Sequence, residues 1–212
     1  LLTKAVDLNK NQYAVDMYQD LASPLTDIKT ELPVLNVQKR ETIPNTVLIH
    51  PGVSKISVQQ GMIKTISPQE WAEVIKILAN NGKKVLLAGG PDDKECIDII
   101  QSIVPQELYK NFYGKTKNLK ELAELISVAE KFLCSDSAPL HIAVALGVKT
   151  YAIFGSTDDK KLIPQNGLVT PVKSMHKCPL QPCLWEKRQT TCEELLCLQI
   201  PAKQIADCVL KY

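Results

Sequence analysis

From Thr46 onward the chain alternates short apolar runs with amphipathic stretches, and this alternation restricts the possible folds more than any other feature. Thr46-Val47-Leu48-Ile49-His50 reads as a buried strand. Ser67-Pro68-Gln69-Glu70 is a capping box with proline at the first helical position. Trp71, Val74, Ile75 and Leu78 follow on one helical face, and Gly82 ends the helix. Val85-Leu86-Leu87-Ala88 is the next strand, closed by Gly89-Gly90. Asp92 or Asp93 is expected to cap a helix carrying Ile97, Ile100 and Val104. Asn118 and Glu121 are expected to open a helix with Leu122, Leu125 and Ala129. Phe132-Leu133-Cys134 and Tyr151-Ala152-Ile153-Phe154 are further strands, separated by a short helix of Leu140, Ala143 and Val144 ending at Gly147.

Strands and helices alternating through short links predict a parallel sheet covered on both faces. Right-handed crossovers make this an α/β, Rossmann-like, doubly wound domain. Ligands of such sheets bind beyond the carboxyl ends of the strands. Residues 51–54, 89–92, 135–141 and 155–157 therefore fall along one rim.

The chain before Thr46 differs. Tyr13, Met17 and Leu21 keep helical spacing until Pro24, and residues 22–45 hold three prolines with little periodicity. Residues 1–45 read as a connector and the end of a preceding domain, and residues 46–212 as the ligand-binding domain. A start at Leu1-Leu2 rather than Met suggests the back portion of something longer.

With 212 residues, 45% of them hydrophobic, the chain can bury a core without disulfides. A net charge of +2 offers no basic stripe, which argues against nucleic acid as partner. No apolar run approaches the ~20 residues of a membrane-spanning helix. No secretory leader opens the chain. A cytoplasmic protein, at most peripheral to the inner membrane, is expected.

Cys96 and Cys134 lie in apolar segments, and Cys208 sits beside Ile205 and Val209; all three read as core. Cys178, Cys183, Cys192 and Cys197 crowd into a segment of about residues 176–198 with C-x4-C-x8-C-x4-C spacing. Four such thiolates can close around zinc or iron, although the usual knuckle spacing is two. Pro179, Pro182 and Glu186-Lys187-Arg188 suggest an exposed loop there. A structural metal, disulfides and free thiols all remain open, while the uneven spread favours a reducing compartment.

Ser135-Asp136-Ser137-Ala138-Pro139-Leu140-His141 leaves a strand and starts a helix, whose free N–H groups suit an anion. Ser137 and His141, four apart, would share a helix face, and Asp136 would cap the helix or accept a sugar hydroxyl. A merely structural capped turn accounts for the same residues. Gly89-Gly90 permits close approach by a nucleobase or ribose, though an ordinary βα turn would look alike. There is no G-x-G-x-x-G fingerprint, so a dinucleotide is poorly supported. Lys55 and Lys64, in the long segment after the first strand, could reach a diphosphate at the rim.

Five segments in order resemble glycosyltransferase family 9. Val47-Leu48-Ile49-His50-Pro51-Gly52 is similar to its opening strand and Pro-Gly loop, and Lys64 followed by Trp71 to its lysine-then-tryptophan helix start. Leu86-Leu87-Ala88-Gly89-Gly90-Pro91-Asp92 resembles its next strand and loop, and Gly114-Lys115-Thr116 with Leu119, Glu121 and Leu122 its G-K-T segment. Residues 135–147 with Phe154-Gly155-Ser156-Thr157 resemble its D-S-G-P-L-H signature and terminal glycine loop. The resemblance implies the C-terminal, donor-binding half of a GT-B glycosyltransferase. It implies a nucleotide-sugar donor, ADP-heptose favoured, and inverting transfer to a lipopolysaccharide-type saccharide, lipid-linked or protein acceptor. Lys64, Asp136 and His141 become the implied catalytic set. Pro51, Gly52, Gly89, Gly90, Ser137, Ala138, Pro139 and Leu140 become the implied donor-binding set. Acceptor and general base would belong to a first domain, so the chain alone is expected to bind nucleotide without turnover. A metal-binding finger near this end is implied by protein-modifying relatives. Ala138 departs from the glycine usual there; if that position needs a positive φ, the turn is strained. Two alternatives are a non-catalytic nucleotide-binding module and another nucleotide-sugar enzyme, such as an epimerase.

Overall fold

The computed structural model describes residues 4–27, 32–37, 41–184 and 192–211. Glu186, Lys187 and Arg188 of the expected loop lie outside the described residues. In chain order the elements are α1 (Ala14–Ala22), β1 (Ile43–His50), α2 (Lys55–Gln59), α3 (Pro68–Asn80), β2 (Lys84–Leu87), α4 (Lys94–Ile103), β3 (Tyr109–Asn111), α5 (Leu119–Ser127), β4 (Ala129–Ser135), α6 (Ala138–Ala145), β5 (Thr150–Ile153), α7 (Asp159–Leu162), β6 (Val169–Val172) and α8 (Ala202–Lys211).

The strands form one six-stranded sheet in the order β3-β2-β1-β4-β5-β6, and every pairing is parallel. This is the doubly wound order in which the chain winds outward from β1 to one side, then returns to build the other. The two edge strands escape the sequence reading. β3 has three residues, and β6 carries Pro171, which an edge strand tolerates. β1 begins at Ile43, three residues before the predicted start, and the register shifts between Ile43 and Val47. Asn45 sits at that irregularity with φ 61°, a conformation asparagine accepts more readily than most residues.

Successive strand residues face opposite sides, which sorts the apolar runs into two cores. Val47, Ile49, Val85, Leu87 and Leu133 pack under α3, α4 and α8, with Trp71 fully buried among them. Leu48, Leu86, Phe132, Cys134 and Ala152 pack under α5 and α6. No residue of α1 is buried.

Local signals fare unevenly. Asn118 accepts the Glu121 N–H at 2.9 Å, and Glu121 accepts the Lys117 N–H at 2.8 Å, so this cap forms as expected. Ser67 accepts the Glu70 N–H at 3.2 Å, while the Glu70 carboxylate accepts the Ala202 N–H at 2.7 Å and fastens α8 to α3. Asp93 stands at the N-cap of α4, but its side chain makes no capping bond. Buried Lys131 donates to the Val209 carbonyl at 2.7 Å, placing a cation against the last turn of α8. Among the described residues, no helix is long and apolar enough to cross a membrane.

Candidate functional site

The strand order reverses between β1 and β4, and in open α/β sheets that is where ligands settle. A cavity of about 460 Å3 opens at this point, walled by His50 at the end of β1 and Gly52 beyond it, Lys64, Gly89 to Asp93 after β2, Thr116 to Leu119 leading into α5, and Asp136 to Pro139 after β4. A larger groove of about 990 Å3 runs along β2 and β3 against α5, away from the switch point. Topology, not size, selects the smaller one.

Lys64 reaches the cavity because its neighbour is tied to both central strands. The Thr65 hydroxyl lies 2.7 Å from the Pro51 carbonyl, 2.8 Å from Ser135 Oγ and 2.9 Å from Trp71 Nε1. Ser135 Oγ also lies 2.7 Å from that same carbonyl. The lysine-then-tryptophan spacing thus has a physical reason: the buried indole N–H holds Thr65, and Thr65 aims Lys64 over the ends of β1 and β4. Lys64 Nζ stands 3.5 Å from Asp136 Oδ2, with the Asp136 side chain 4% exposed and that of Lys64 21%. Thr157 donates to the same Asp136 oxygen at 2.8 Å. The pair therefore presents an ammonium to the cavity and a carboxylate secured behind it. Lys55 lies exposed on α2, outside the lining, and its backbone N–H donates to Asp92.

The glycines at the rim also serve a purpose that the sequence does not announce. The Asp93 carboxylate is buried and accepts the Gly90 N–H at 2.7 Å. A Cβ on Gly52 would lie 1.5 Å from Asp93 Oδ1, and one on Gly89 3.2 Å from Asp93 Cβ. Gly52 and Gly89 make room for this carboxylate while their backbones still line the cavity. On Gly90 the nearest atom would be 3.9 Å away, so its open side remains available. His50 Nε2 faces Asp93 Oδ2 at 3.7 Å. Burial lowers the His50 pKa against the opposing pull of Asp93, and burial raises that of Asp93 against His50 and the Gly90 amide. A neutral imidazole is the form this site favours.

The geometry of α6 bears on each residue expected there. Ser137 is the N-cap with extended backbone, so it does not share a helical face with His141; its hydroxyl donates to the Ser135 carbonyl at 3.3 Å. Leu140 is core, and its N–H donates to the Ser137 carbonyl at 3.0 Å. Pro139 has no N–H, so the anion-facing amides narrow to those preceding it. His141 stands outside the cavity wall with one side exposed. Burial of the other side lowers its pKa, Asp136 raises it and Lys64 lowers it, so it still feels the charged pair. Ala138 is helical, not left-handed, and carries no strain.

The four tail cysteines face a common cavity. Cys178, Cys183, Cys192 and Cys197 line one cavity of about 290 Å3 together with Met62 and Ser156. No disulfide joins any of the cysteines among the described residues. Cys134 is core as expected, while Cys96 and Cys208 are only partly buried against it. Burial first, then the three neighbouring thiols, pushes the Cys197 pKa up to about 11. Among the described residues, no three His, Cys, Asp or Glu side chains are gathered in a group that could hold a metal ion.

Sequence reasoning missed Thr65 and Asp93 as parts of the site, and placed Thr157 on the rim without its role toward Asp136. Each acts through a partner 21 to 70 residues away, or through a backbone amide, and leaves no local pattern.

The profile of glycosyltransferase family 9 (heptosyltransferase) matches residues 1–193. Lipopolysaccharide heptosyltransferase 3 of Escherichia coli K12 is 32% identical over 133 residues, covering 62% of this chain and 35% of that protein. The chain thus spans about a third of that curated relative. Among solved structures, E. coli heptosyltransferase WaaC with ADP-2-deoxy-2-fluoro heptose superposes with a TM-score of 0.63 at 15% identity, covering 99% of this chain and 59% of that one. The iron-containing dodecameric glycosyltransferase TibC of enterotoxigenic E. coli H10407 gives 0.58 at 18% identity, covering 84% and 47%. At these identities the structural likeness speaks for the fold, a Rossmann-like half of the GT-B architecture.

Proposed function

The chain belongs to glycosyltransferase family 9, and from that premise we propose that its cavity binds the nucleotide diphosphate of a sugar donor, ADP-heptose foremost, for transfer to a lipopolysaccharide-type saccharide. One observation carries the reading: at the switch point, Lys64 projects an ammonium beside the start of α6, backed by buried Asp136. An ADP-sugar is favoured because the solved WaaC holds one on the same fold.

In an inverting displacement the acceptor oxygen bonds to the anomeric carbon as the bond to the diphosphate oxygen breaks. Negative charge grows on the departing nucleoside diphosphate. Lys64 and the positive end of α6 are oriented beforehand to receive it, and groups that need no reorganisation are effective stabilisers. Asp136, held by Thr157, keeps Lys64 in place and stands where a sugar hydroxyl could donate to it. The acceptor hydroxyl must lose its proton to a base, which we place outside this site, with the acceptor itself. A cytoplasmic location, where nucleotide sugars are made, goes with this reading.

The expected result is that the protein binds ADP in calorimetric titration more tightly than GDP or UDP. The 212-residue chain is expected to bind it without transferring sugar. Equal affinity for adenosine and ADP would remove the diphosphate from the reading, and robust transfer by the chain would return the base to it.

The tail thiols support a second element, a soft-metal site of zinc or iron, the latter present in TibC. Four sulfurs on one small cavity match such an ion in chemistry, although their arrangement does not yet gather three of them at one point. Protein purified without chelator is expected to carry close to one zinc or iron per chain by elemental analysis. Metal-free protein with four titratable tail thiols would end this reading.

A further inference from the structure

The turn that follows β5 is gripped from the tail side. Gln181 Nε2 donates to the Gly155 carbonyl at 2.5 Å, and the N–H groups of Cys183 and Leu184 donate to the Ser156 carbonyl at 3.0 and 3.1 Å. On the other flank Leu198 and Cys197 press against Gly155, where a Cβ would meet Leu198 Cδ2 at 2.6 Å and Cys197 Sγ at 3.3 Å. Two separate pieces of the tail thus hold one turn. The next residue of that turn is Thr157, whose hydroxyl donates to Asp136 Oδ2 at 2.8 Å, the oxygen that Lys64 faces at 3.5 Å. Met62 and Ile63, immediately before Lys64, form a wall of the tail cavity.

We propose that Thr157 is a positioning residue for the diphosphate clamp and that the tail sets it, through Gln181, from outside the donor cavity. This rests on the reading that Lys64 contacts the donor diphosphate. The physical reason lies in competition for one carboxylate oxygen. While Thr157 donates to Asp136 Oδ2, Lys64 shares that oxygen and is held loosely enough to turn toward a phosphate. Without the hydroxyl, Asp136 is free to pair fully with Lys64 and draw the ammonium back from the ligand. Gln181 lines the tail cavity and not the donor cavity, so it acts only through the turn.

The test is ADP affinity of the protein by calorimetry, with adenosine, which lacks the diphosphate, as the comparison ligand. Thr157→Val is expected to weaken ADP about tenfold and adenosine hardly at all, and Thr157→Ser to restore ADP binding to within about twofold, as a single charge-assisted hydrogen bond predicts. Gln181→Ala is expected to weaken ADP about threefold alone and to add nothing in the Thr157→Val background, the non-additivity of groups acting in one chain. Thermal unfolding of each variant separates lost folding from lost clamping, and should Thr157→Val not fold, the Gln181→Ala result against both ligands decides the matter. If Lys64→Ala weakens ADP while neither Thr157→Val nor Gln181→Ala does, the inference falls and the donor reading stands. If Lys64→Ala leaves ADP affinity unchanged, the donor reading falls, and this inference with it.

Discussion

Gly52→Ala is expected to destabilise the protein by about 2–4 kcal/mol, the range for overpacking a core combined with a broken, partly buried hydrogen bond. The new methyl would lie 1.5 Å from Asp93 Oδ1 and 2.1 Å from its Cγ, so one of the two must move. Asp93 has nowhere to retreat. It is 6% exposed, its Oδ2 accepts the Gly90 N–H, and the same oxygen faces buried His50. Displacing it takes the acceptor from the Gly90 N–H and the carboxylate from beside His50. For a chain of this length the loss corresponds to a Tm lower by roughly 5–15 °C. Two variants bracket the cause. Gly90→Ala, with the nearest atom 3.9 Å from the added carbon, should cost less than about 1 kcal/mol. Gly52→Ala combined with Asp93→Ala should recover part of the stability, because the clash and the displaced carboxylate disappear together. A Tm for Gly52→Ala equal to that of the natural protein would mean that the carboxylate does not occupy this niche.

Asp93 also marks the boundary of what the sequence reveals. The strands Thr46–His50 and Val85–Ala88 are legible because a central parallel strand must be apolar on both faces, and the rim follows from their carboxyl ends. Asp136 and the glycines can be named as candidates because each follows a strand end, and Lys64 because of the long segment after the first strand and the family resemblance. Their purposes cannot be read, because these are set by residues distant in sequence. Gly52 reads as a ligand-facing glycine, and that Asp93, 41 positions later, fills the place of its missing side chain is not legible in the sequence. Leu140 looks like an amide donor until its N–H is found bonded to Ser137. The edge strands β3 and β6 are too short and too polar to leave a period-2 signal. The tail illustrates the opposite case: four cysteines at loose spacing are evident in the sequence, and their convergence on one cavity is supplied by the fold.

Lys64→Ala should weaken ADP about a hundredfold, more than the loss of one exposed charge would predict. An ammonium about 4 Å from a phosphate oxygen is worth up to ~4 kcal/mol at an effective dielectric constant of ~20, of which desolvation leaves about 1–1.5 kcal/mol, roughly tenfold in affinity. The remainder comes from what the lysine leaves behind. Asp136 has a side chain 4% exposed, and Thr157 donates to its oxygen, so without Lys64 a secured negative charge lines the wall that a diphosphate must approach. Lys64→Ala combined with Asp136→Asn removes that repulsion and is expected to bind ADP only about tenfold more weakly than the natural protein, a double-mutant cycle in which the second change repairs the first. Adenosine, which carries no phosphate, should bind all of these variants alike. Sugar transfer should fall at least as far as binding, because the charge on the departing diphosphate is greater in the transition state than in the bound donor. If Lys64→Ala binds ADP as the natural protein does, the ammonium does not serve the diphosphate. If the double variant is no better than the single one, Asp136 is not the counter-charge that holds it.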